Sequence, residues 1–329
     1  MTGAGPGGGT RTAPNRSTPP RAPATGKARA YVRLAKLDVI DYYLGLLVVW
    51  TLLPPADRFG GAAPGVLGLF LLGEVLVVAA MVALDDLTGY RDGSDVTNYG
   101  PDAPVRRRAC KPLVAGTLRE VEVLRFAWLT AVAGGLVWTV AVLLAPHRPG
   151  WAVTVVAATF VLSLQYSWGA RLSYRGLQEF FIAALGWALV LGPYGLLAGA
   201  PAAFVVVQAL LFGLGPLLFG VYSNTNDIAG DRQVGRPTVA CRLTPRGNAV
   251  FIAAVSLAET ALIVGAAVAG AAPWWFPFAM LPTMVLRVGQ YHVGFGRGDI
   301  LRARKLGMWT HRVTVVLLVV VNLARAGLA

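Results

Sequence analysis

Tyr222-Ser-Asn-Thr-Asn-Asp227-Ile-Ala-Gly-Asp231-Arg-Gln-Val-Gly-Arg-Pro-Thr238 follows directly on an apolar run from Phe204 to Val221. Two aspartates stand four residues apart, and on a helix such positions share a face about one turn apart. Carboxylates placed so close repel unless a cation lies between them. At the end of a membrane-length segment this pattern predicts a divalent metal, and Arg232 and Arg236 beside it predict an anion that the metal holds.

The rest of the chain fits a membrane setting. Of 329 residues, 56% are hydrophobic and only 14% are charged, against about a quarter charged in soluble domains. A bilayer core takes about 20 mostly apolar residues per helix. Nine segments qualify: 38–56, 65–84, 121–145, 150–168, 179–199, 202–222, 248–269, 273–291 and 309–328. The predicted fold is therefore all-α, a polytopic membrane protein of nine transmembrane helices. Residues 1–26 are rich in Gly, Pro, Thr, Ser and Arg with no apolar run. A disordered basic tail is expected over 1–30, not a signal peptide, with the membrane domain over 31–329.

Charge sets the expected orientation. Of the 29 Lys and Arg residues, 26 fall before the first segment or around the connections 2–3, 4–5, 6–7 and 8–9. Only Arg58, Arg148 and Arg325 fall on the opposite side. By the positive-inside rule, the basic side is cytoplasmic, which places the N-terminus and the acidic loops there and predicts a multi-pass plasma-membrane protein. The net charge of +13 thus reflects topology and contact with anionic lipid in the bilayer, not nucleic-acid binding. The two cysteines and three histidines are scattered, without the spacing of a zinc site or a disulfide framework.

A second acidic loop follows the second segment: Leu84-Asp85-Asp86-Leu-Thr-Gly89-Tyr-Arg91-Asp92-Gly93-Ser-Asp95, then Arg106-Arg-Arg-Ala-Cys-Lys111-Pro-Leu-Val-Ala-Gly116. Of the 16 acidic residues, seven lie on these two loops: Asp85, Asp86, Asp92, Asp95, Asp102, Asp227 and Asp231. Two acidic clusters with basic neighbours suit a magnesium–diphosphate site, because Mg²⁺ takes a few carboxylates plus phosphate oxygens, and Arg and Lys take the remaining oxygens. The connection Tyr166-Ser-Trp-Gly169-Ala-Arg171-Leu-Ser-Tyr174-Arg175 would, standing alone, be an ordinary interfacial belt, and the basic stretch from Arg287 to Lys305 an ordinary positive-inside loop. Asp38, Asp41, Glu74 and Glu259 are expected to line a cavity or to pair with basic groups.

Taken together, these residues resemble the UbiA superfamily of intramembrane prenyltransferases, most of all the branch acting on 1,4-dihydroxy-2-naphthoate. The family's second motif corresponds to Asn224, Asp227, Asp231, Gly235, Arg236 and Thr238. The loop after the fourth segment is similar at Tyr166-Ser, Gly169, Leu172-Ser-Tyr174, Gly176-Leu and Glu179, and Lys111-Pro-Leu…Gly116 resembles another family motif. The resemblance implies nine helices around a central cavity and a Mg²⁺-dependent transfer from an allylic prenyl diphosphate to an aromatic or quinone-precursor acceptor. It implies one Mg²⁺ on Asp227 and Asp231, and a second on Asp85, Asp86, Asp92 and Asp95. Lys111, Arg108, Arg236 and Asn224 would bind the diphosphate, with Tyr166 and Tyr174 near the developing cation. The first motif departs from the family pattern: Asp85 stands for an asparagine and Gly89 for a metal-binding aspartate, for which Asp92 is the expected replacement. An alternative on the same scaffold is a terpene cyclase, which ionises the diphosphate without an acceptor. A transporter or membrane scaffold is a third reading, disfavoured because Asp85 and Asp227 lie at segment ends and not at the bilayer midplane.

Overall fold

The computed structural model describes residues 24–37, 39–99 and 110–328. Asp38, Asp102 and Arg106 to Arg108, including the proposed diphosphate ligand Arg108, lie outside the described residues.

In a bilayer, backbone N–H and C=O groups have no water to bond, so spanning segments must satisfy them internally as helices. Among the described residues the regular structure is entirely helical. The helices that matter below are α1 (Ala24–Leu34), α2 (Gly45–Leu52), α3 (Ala63–Asp92), α4 (Ser94–Tyr99), α5 (Glu120–Leu144), α6 (Gly150–Leu164), α7 (Gln178–Ala198), α8 (Ala203–Asn226), α9 (Ile228–Gln233), α10 (Pro245–Val268), α11 (Leu281–Tyr291) and α12 (Ile300–Leu328). Each of the nine predicted segments contains helix, and several helices run past the segment limits. Six of them (α3, α5, α7, α8, α10 and α12) are long and apolar enough to cross a membrane. The other three segments are shorter or broken. The first is a 3₁₀ turn, Ile40–Tyr42, followed by α2, and Pro54 and Pro55 end it. The eighth is interrupted at Met280, between Phe276–Ala279 and α11.

The expected tail overlaps an ordered element. Helix α1 begins at Ala24, inside the stretch assigned to the tail. Its Ala30 and Leu34 are buried against Leu84 and Leu87 of α3 and Leu118, so burial of two apolar side chains overrides the polar composition around them.

Long helices pair α3 with α5, α7 with α8, and α8 with α12. The α7–α8 contact is glycine on glycine: a Cβ at Gly186 would lie 2.7 Å from the Gly213 Cα, and a Cβ at Gly213 would lie 2.3 Å from the Ala183 carbonyl oxygen. Lipid tails are as apolar as leucine, so membrane helices associate through close packing of small residues. The outer helices expose apolar stripes, Leu129, Val132, Leu136 and Leu143 on α5 and Val250, Leu257, Val264 and Val268 on α10.

Two ion pairs tie helices together, one fully buried and one with its arginine partly exposed. Arg287, expected in a basic loop, is 2% exposed within α11. Its guanidinium donates to both carboxylate oxygens of Glu259 on α10, at 2.7 and 3.0 Å, and to Gln290 at 2.9 Å. Arg312 of α12 likewise grips Asp41 with two bonds of 2.9 Å. Thus Glu259 and Asp41 are paired inside the protein. Glu74 is as buried, at 1% exposure, but its carboxyl oxygens have no hydrogen-bond partner.

Removing one partner of a buried pair leaves the other charged and unpaired, which costs about 3–5 kcal/mol. Arg287→Met is therefore expected to lower the unfolding midpoint in detergent sharply, whereas Glu259→Leu/Arg287→Met recovers most of the loss. Equal loss in the single and double variants would show that the pair is not what holds α10 to α11.

Candidate functional site

Helix α8 runs through Asn226 and stops at Asp227, whose backbone (φ −100°, ψ 11°) leaves the helical range. The chain immediately re-enters helix as α9, which carries Asp231. Gly235, at φ +66°, then makes the left-handed turn that few other residues adopt. That turn brings Arg236 back, so that its backbone N–H donates to the Asp231 carbonyl at 2.8 Å. Asn224 sits one turn before Asp227 with both ends of its amide engaged: it accepts from Gln178 at 2.8 Å and donates to Glu179 at 2.9 Å. Its role in the geometry is to fix the end of α8 against the start of α7.

Helix α3 continues to Asp92, well past the predicted limit of its segment, and is ended by Gly93 at φ +88°. The short helix α4 doubles back and meets α9. Thr97 donates to Gln233 at 2.6 Å, and Gly230 lies so near Asn98 that a Cβ there would come within 2.5 Å of its amide nitrogen. This contact joins the two acidic motifs across the mouth of one cavity of about 500 Å³.

The mouth is lined by Asp85, Asp95, Asp227 and Asp231 together with Lys36, Lys111 and Arg236. Deeper, the walls are Met81, Val82, Phe181, Leu185, Phe219 and Met308. Polar head and apolar depth are thus continuous.

The carboxylates differ in what neutralises them. Asp85 accepts from Ser167 at 2.6 Å and from Arg236 at 3.1 Å. Asp86 is 2% exposed and stands behind the cavity wall. It takes Lys111 at 2.7 Å and has Lys36 at 3.7 Å. Asp95 takes the same Lys111 at 2.8 Å. Burial alone would depress the Lys111 ammonium, but Asp86 and Asp95 outweigh it and hold its pKa well above the usual lysine value. By contrast, Asp227 and Asp231 form no ion pair among the described residues, and Asp227 accepts only from its neighbour Asn226, at 2.7 Å. Burial pushes the Asp231 carboxyl up to about 7, against the pull of Arg236 and helped by Asp227. Among the described residues no three His, Cys, Asp or Glu side chains converge as a ready metal cage. A cation at this mouth would therefore rest on the unneutralised pair Asp227–Asp231 and on oxygens from its ligand.

One first-motif expectation needs correction. Asp92 does not join the cavity. Its carboxylate caps Ser94, at 3.0 Å to the backbone N–H and 2.8 Å to the hydroxyl, accepts from the Tyr174 hydroxyl, and faces a separate groove with Trp168 and Arg171. The space over Gly89 is instead filled by Asp95: a Cβ at Gly89 would meet all three atoms of that carboxyl group at 2.9–3.2 Å. The sequence register in which Asp92 follows one turn later put it on the wrong side, because the helix ends at Gly93 and only the returning α4 carries a carboxylate back.

Of the aromatic residues singled out, Tyr166 lines the cavity and packs on Phe181, ring centroids 4.9 Å apart. Tyr174 lies outside that lining, between the guanidinium groups of Arg171 and Arg236 at 3.9 and 4.5 Å. Elsewhere, Tyr222 is buried against Phe295, and Tyr90 packs on the cluster that includes Leu84, Leu87 and Leu118. Several lining residues had no distinguishing signal in the sequence. Tyr42 and Tyr99 were two tyrosines among ten. Arg304 was taken for loop charge, yet α12 starts at Ile300 and turns Leu301, Arg304 and Met308 onto the cavity at helical spacing.

A cavity of this form, at the end of paired membrane helices, with acidic and basic groups at the rim and an apolar interior, defines a membrane protein that holds an amphiphile by a charged head. The chain belongs to the UbiA prenyltransferase family, whose pattern matches residues 44–313. No curated protein sequence matches the chain. Among solved structures, a UbiA homologue from Aeropyrum pernix K1 shares 18% identity (TM-score 0.63) over 87% of this chain and 98% of its own. A UbiA homologue from Archaeoglobus fulgidus bound to DMAPP and Mg²⁺ shares 13% identity (TM-score 0.60) over 88% and 98%. A structure concerning digeranylgeranylglyceryl phosphate synthase in membranes shares 13% identity (TM-score 0.63) over 91% and 99%. At these identities the likeness establishes the fold.

Because Asp231 is held near 7, a proton would compete with a divalent cation bound there: the group is neutral and would disfavour the metal below that pH, and is charged and would favour it above. Raising the pH from 6 to 8 should tighten divalent-cation binding by about tenfold, with protons released on binding. Asp231→Asn should remove most of that dependence, as read by calorimetry in two buffers of different ionisation enthalpy. Affinity that is flat across this range in the native protein would contradict the assignment.

Proposed function

We propose that this protein transfers a prenyl group, with Mg²⁺, from an allylic prenyl diphosphate to an aromatic or quinone-precursor acceptor within the membrane. The observation that carries the reading is the cavity itself, with unneutralised Asp227 and Asp231 and cationic Lys111 and Arg236 at the rim of an apolar chamber. The Archaeoglobus fulgidus homologue bound to DMAPP and Mg²⁺ supports the same ligand class here.

In this reading Asp227 and Asp231 hold the Mg²⁺, which when bound neutralises the charge that grows on diphosphate as the allylic C–O bond breaks. Arg236 is aligned for the same task. Asp85 anchors its Nη2 at 3.1 Å, and the Tyr174 hydroxyl accepts from that nitrogen, also at 3.1 Å. Groups fixed in advance at the position where charge develops stabilise the transition state more than the ground state. Met81, Val82, Phe181, Leu185 and Phe219 house the prenyl chain and exclude the water that would quench an allylic cation. Tyr42, Tyr166 and Phe181 line the chamber, and aromatic rings there would stabilise such a cation. The same aromatic lining favours the second reading, a terpene cyclase, in which the cation closes on its own chain.

The positive-inside asymmetry supports a plasma-membrane protein with the N-terminus and cavity mouth on the cytoplasmic side.

The test is product analysis of the purified, lipid-embedded protein with C10 to C25 prenyl diphosphates, with and without aromatic acceptors. Diphosphate release should require the acceptor and Mg²⁺ and yield the prenylated aromatic. A cyclic hydrocarbon formed from diphosphate alone would replace this reading with the cyclase. Asp227→Ala should lower turnover by about a hundredfold or more, as loss of a positioned charge-stabilising group does.

A further inference from the structure

Resting on the diphosphate reading above, the geometry points to a site that loads a single divalent cation, with the Lys111 ammonium standing where the first acidic motif would otherwise gather a second. Lys111 Nζ bridges Asp86 at 2.7 Å and Asp95 at 2.8 Å, and its side chain is only 11% exposed. It lies 5.4 Å from the centroid of the Tyr99 ring, a third attractive face.

Three features make the lysine a built part of the site. The first is Gly89. Asp95 reaches Lys111 through the space that a side chain at 89 would occupy, since a Cβ there would meet the Asp95 carboxyl carbon at 2.9 Å. An aspartate at 89 and Asp95 in its present position exclude each other. The second is the fate of the other carboxylates. Asp85 is committed to Arg236 and Ser167, and Asp92 to Ser94 and Tyr174 on the far side of α3. The third is charge: Asp85, Asp86 and Asp95 are met by Lys36, Lys111 and Arg236. A divalent ion there would have to displace an ammonium already bonded to two carboxylates, and breaking a buried pair leaves an uncompensated charge. Among the described residues neither Asp227 nor Asp231 forms an ion pair, although Arg236 lies close enough to pull on Asp231. The lysine then does the work of the missing ion on the diphosphate side, as a fixed point charge that strengthens as negative charge grows on the leaving group.

The test counts ions without turnover. Full-length protein in detergent is equilibrated with Mn²⁺ and geranyl S-thiolodiphosphate, which binds but ionises poorly. Bound manganese is measured by elemental analysis, and its spectrum by electron paramagnetic resonance. About one Mn²⁺ per chain with an uncoupled six-line spectrum is expected, falling to background in Asp227→Asn. In Lys111→Gln, which frees Asp86 and Asp95, the count should rise toward two, with spin coupling between the ions. About two coupled ions in the native protein with the analogue bound would overturn the single-ion site and leave the diphosphate reading intact. A count that stays at one in folded Lys111→Gln would overturn the lysine's part. Absence of both manganese and analogue would overturn the diphosphate reading itself, and this inference with it.

Discussion

The need for counter-charges on the carboxylates near the membrane interior organises the molecule; among the described residues Glu74, buried without a hydrogen-bond or ion-pair partner, stands apart. Acidic groups are costly at such depth unless paired or coordinated. Glu259 and Asp41 meet it with arginines from neighbouring helices and so become joints of the bundle. Asp85, Asp86 and Asp95 meet it with Arg236, Lys111 and Lys36 and so become the frame of the cavity mouth. Among the described residues, Asp227 and Asp231 are the mouth carboxylates without an ion pair, and the proposed function gives them the cation that comes with a ligand. Structure and function divide along that line.

The pairing also explains why the two motifs work as one site although well over a hundred residues separate them. Arg236 belongs to the second motif but bonds Asp85 of the first. Helices α4 and α9 lock through Thr97, Gln233, Asn98 and Gly230. Positioning is thus distributed: Gly93 and Gly235 supply the left-handed turns, Asn224 and Glu179 fix the end of α8 to α7, and the reacting groups hang from rigid helix ends. The Gly186–Gly213 contact brings α7 and α8 close enough for Phe181, Leu185 and Phe219 to share a wall.

Much of this was legible in the sequence. Membrane helices announce themselves by apolar length alone, and the Asp227–Asp231 spacing pointed to two carboxylates that the fold places together at the cavity mouth. What the sequence left hidden depended on where helices end and how they turn. Asp92 seemed the natural substitute for a missing ligand at 89, but α3 stops at Gly93, and α4 carries Asp95 into that space. Arg287 and Arg304 looked like two of many loop charges. Arg287 is sealed against Glu259 at the end of an apolar segment, and Arg304 faces the cavity because α12 begins before the apolar run that reveals it. Arg108 lies outside the described residues, and its expected role rests on the sequence alone.

The central claim is that the cavity recognises a diphosphate through a metal held by Asp227 and Asp231, with the prenyl chain as an apolar rider. The most direct measurement is calorimetric binding of farnesyl diphosphate and of farnesol to the lipid-embedded protein, with and without Mg²⁺. The account predicts tight, Mg²⁺-dependent binding of the diphosphate that disappears in Asp227→Asn, and weak, Mg²⁺-independent binding of the alcohol. Equal affinity for the two compounds, or diphosphate binding indifferent to Mg²⁺, would contradict it.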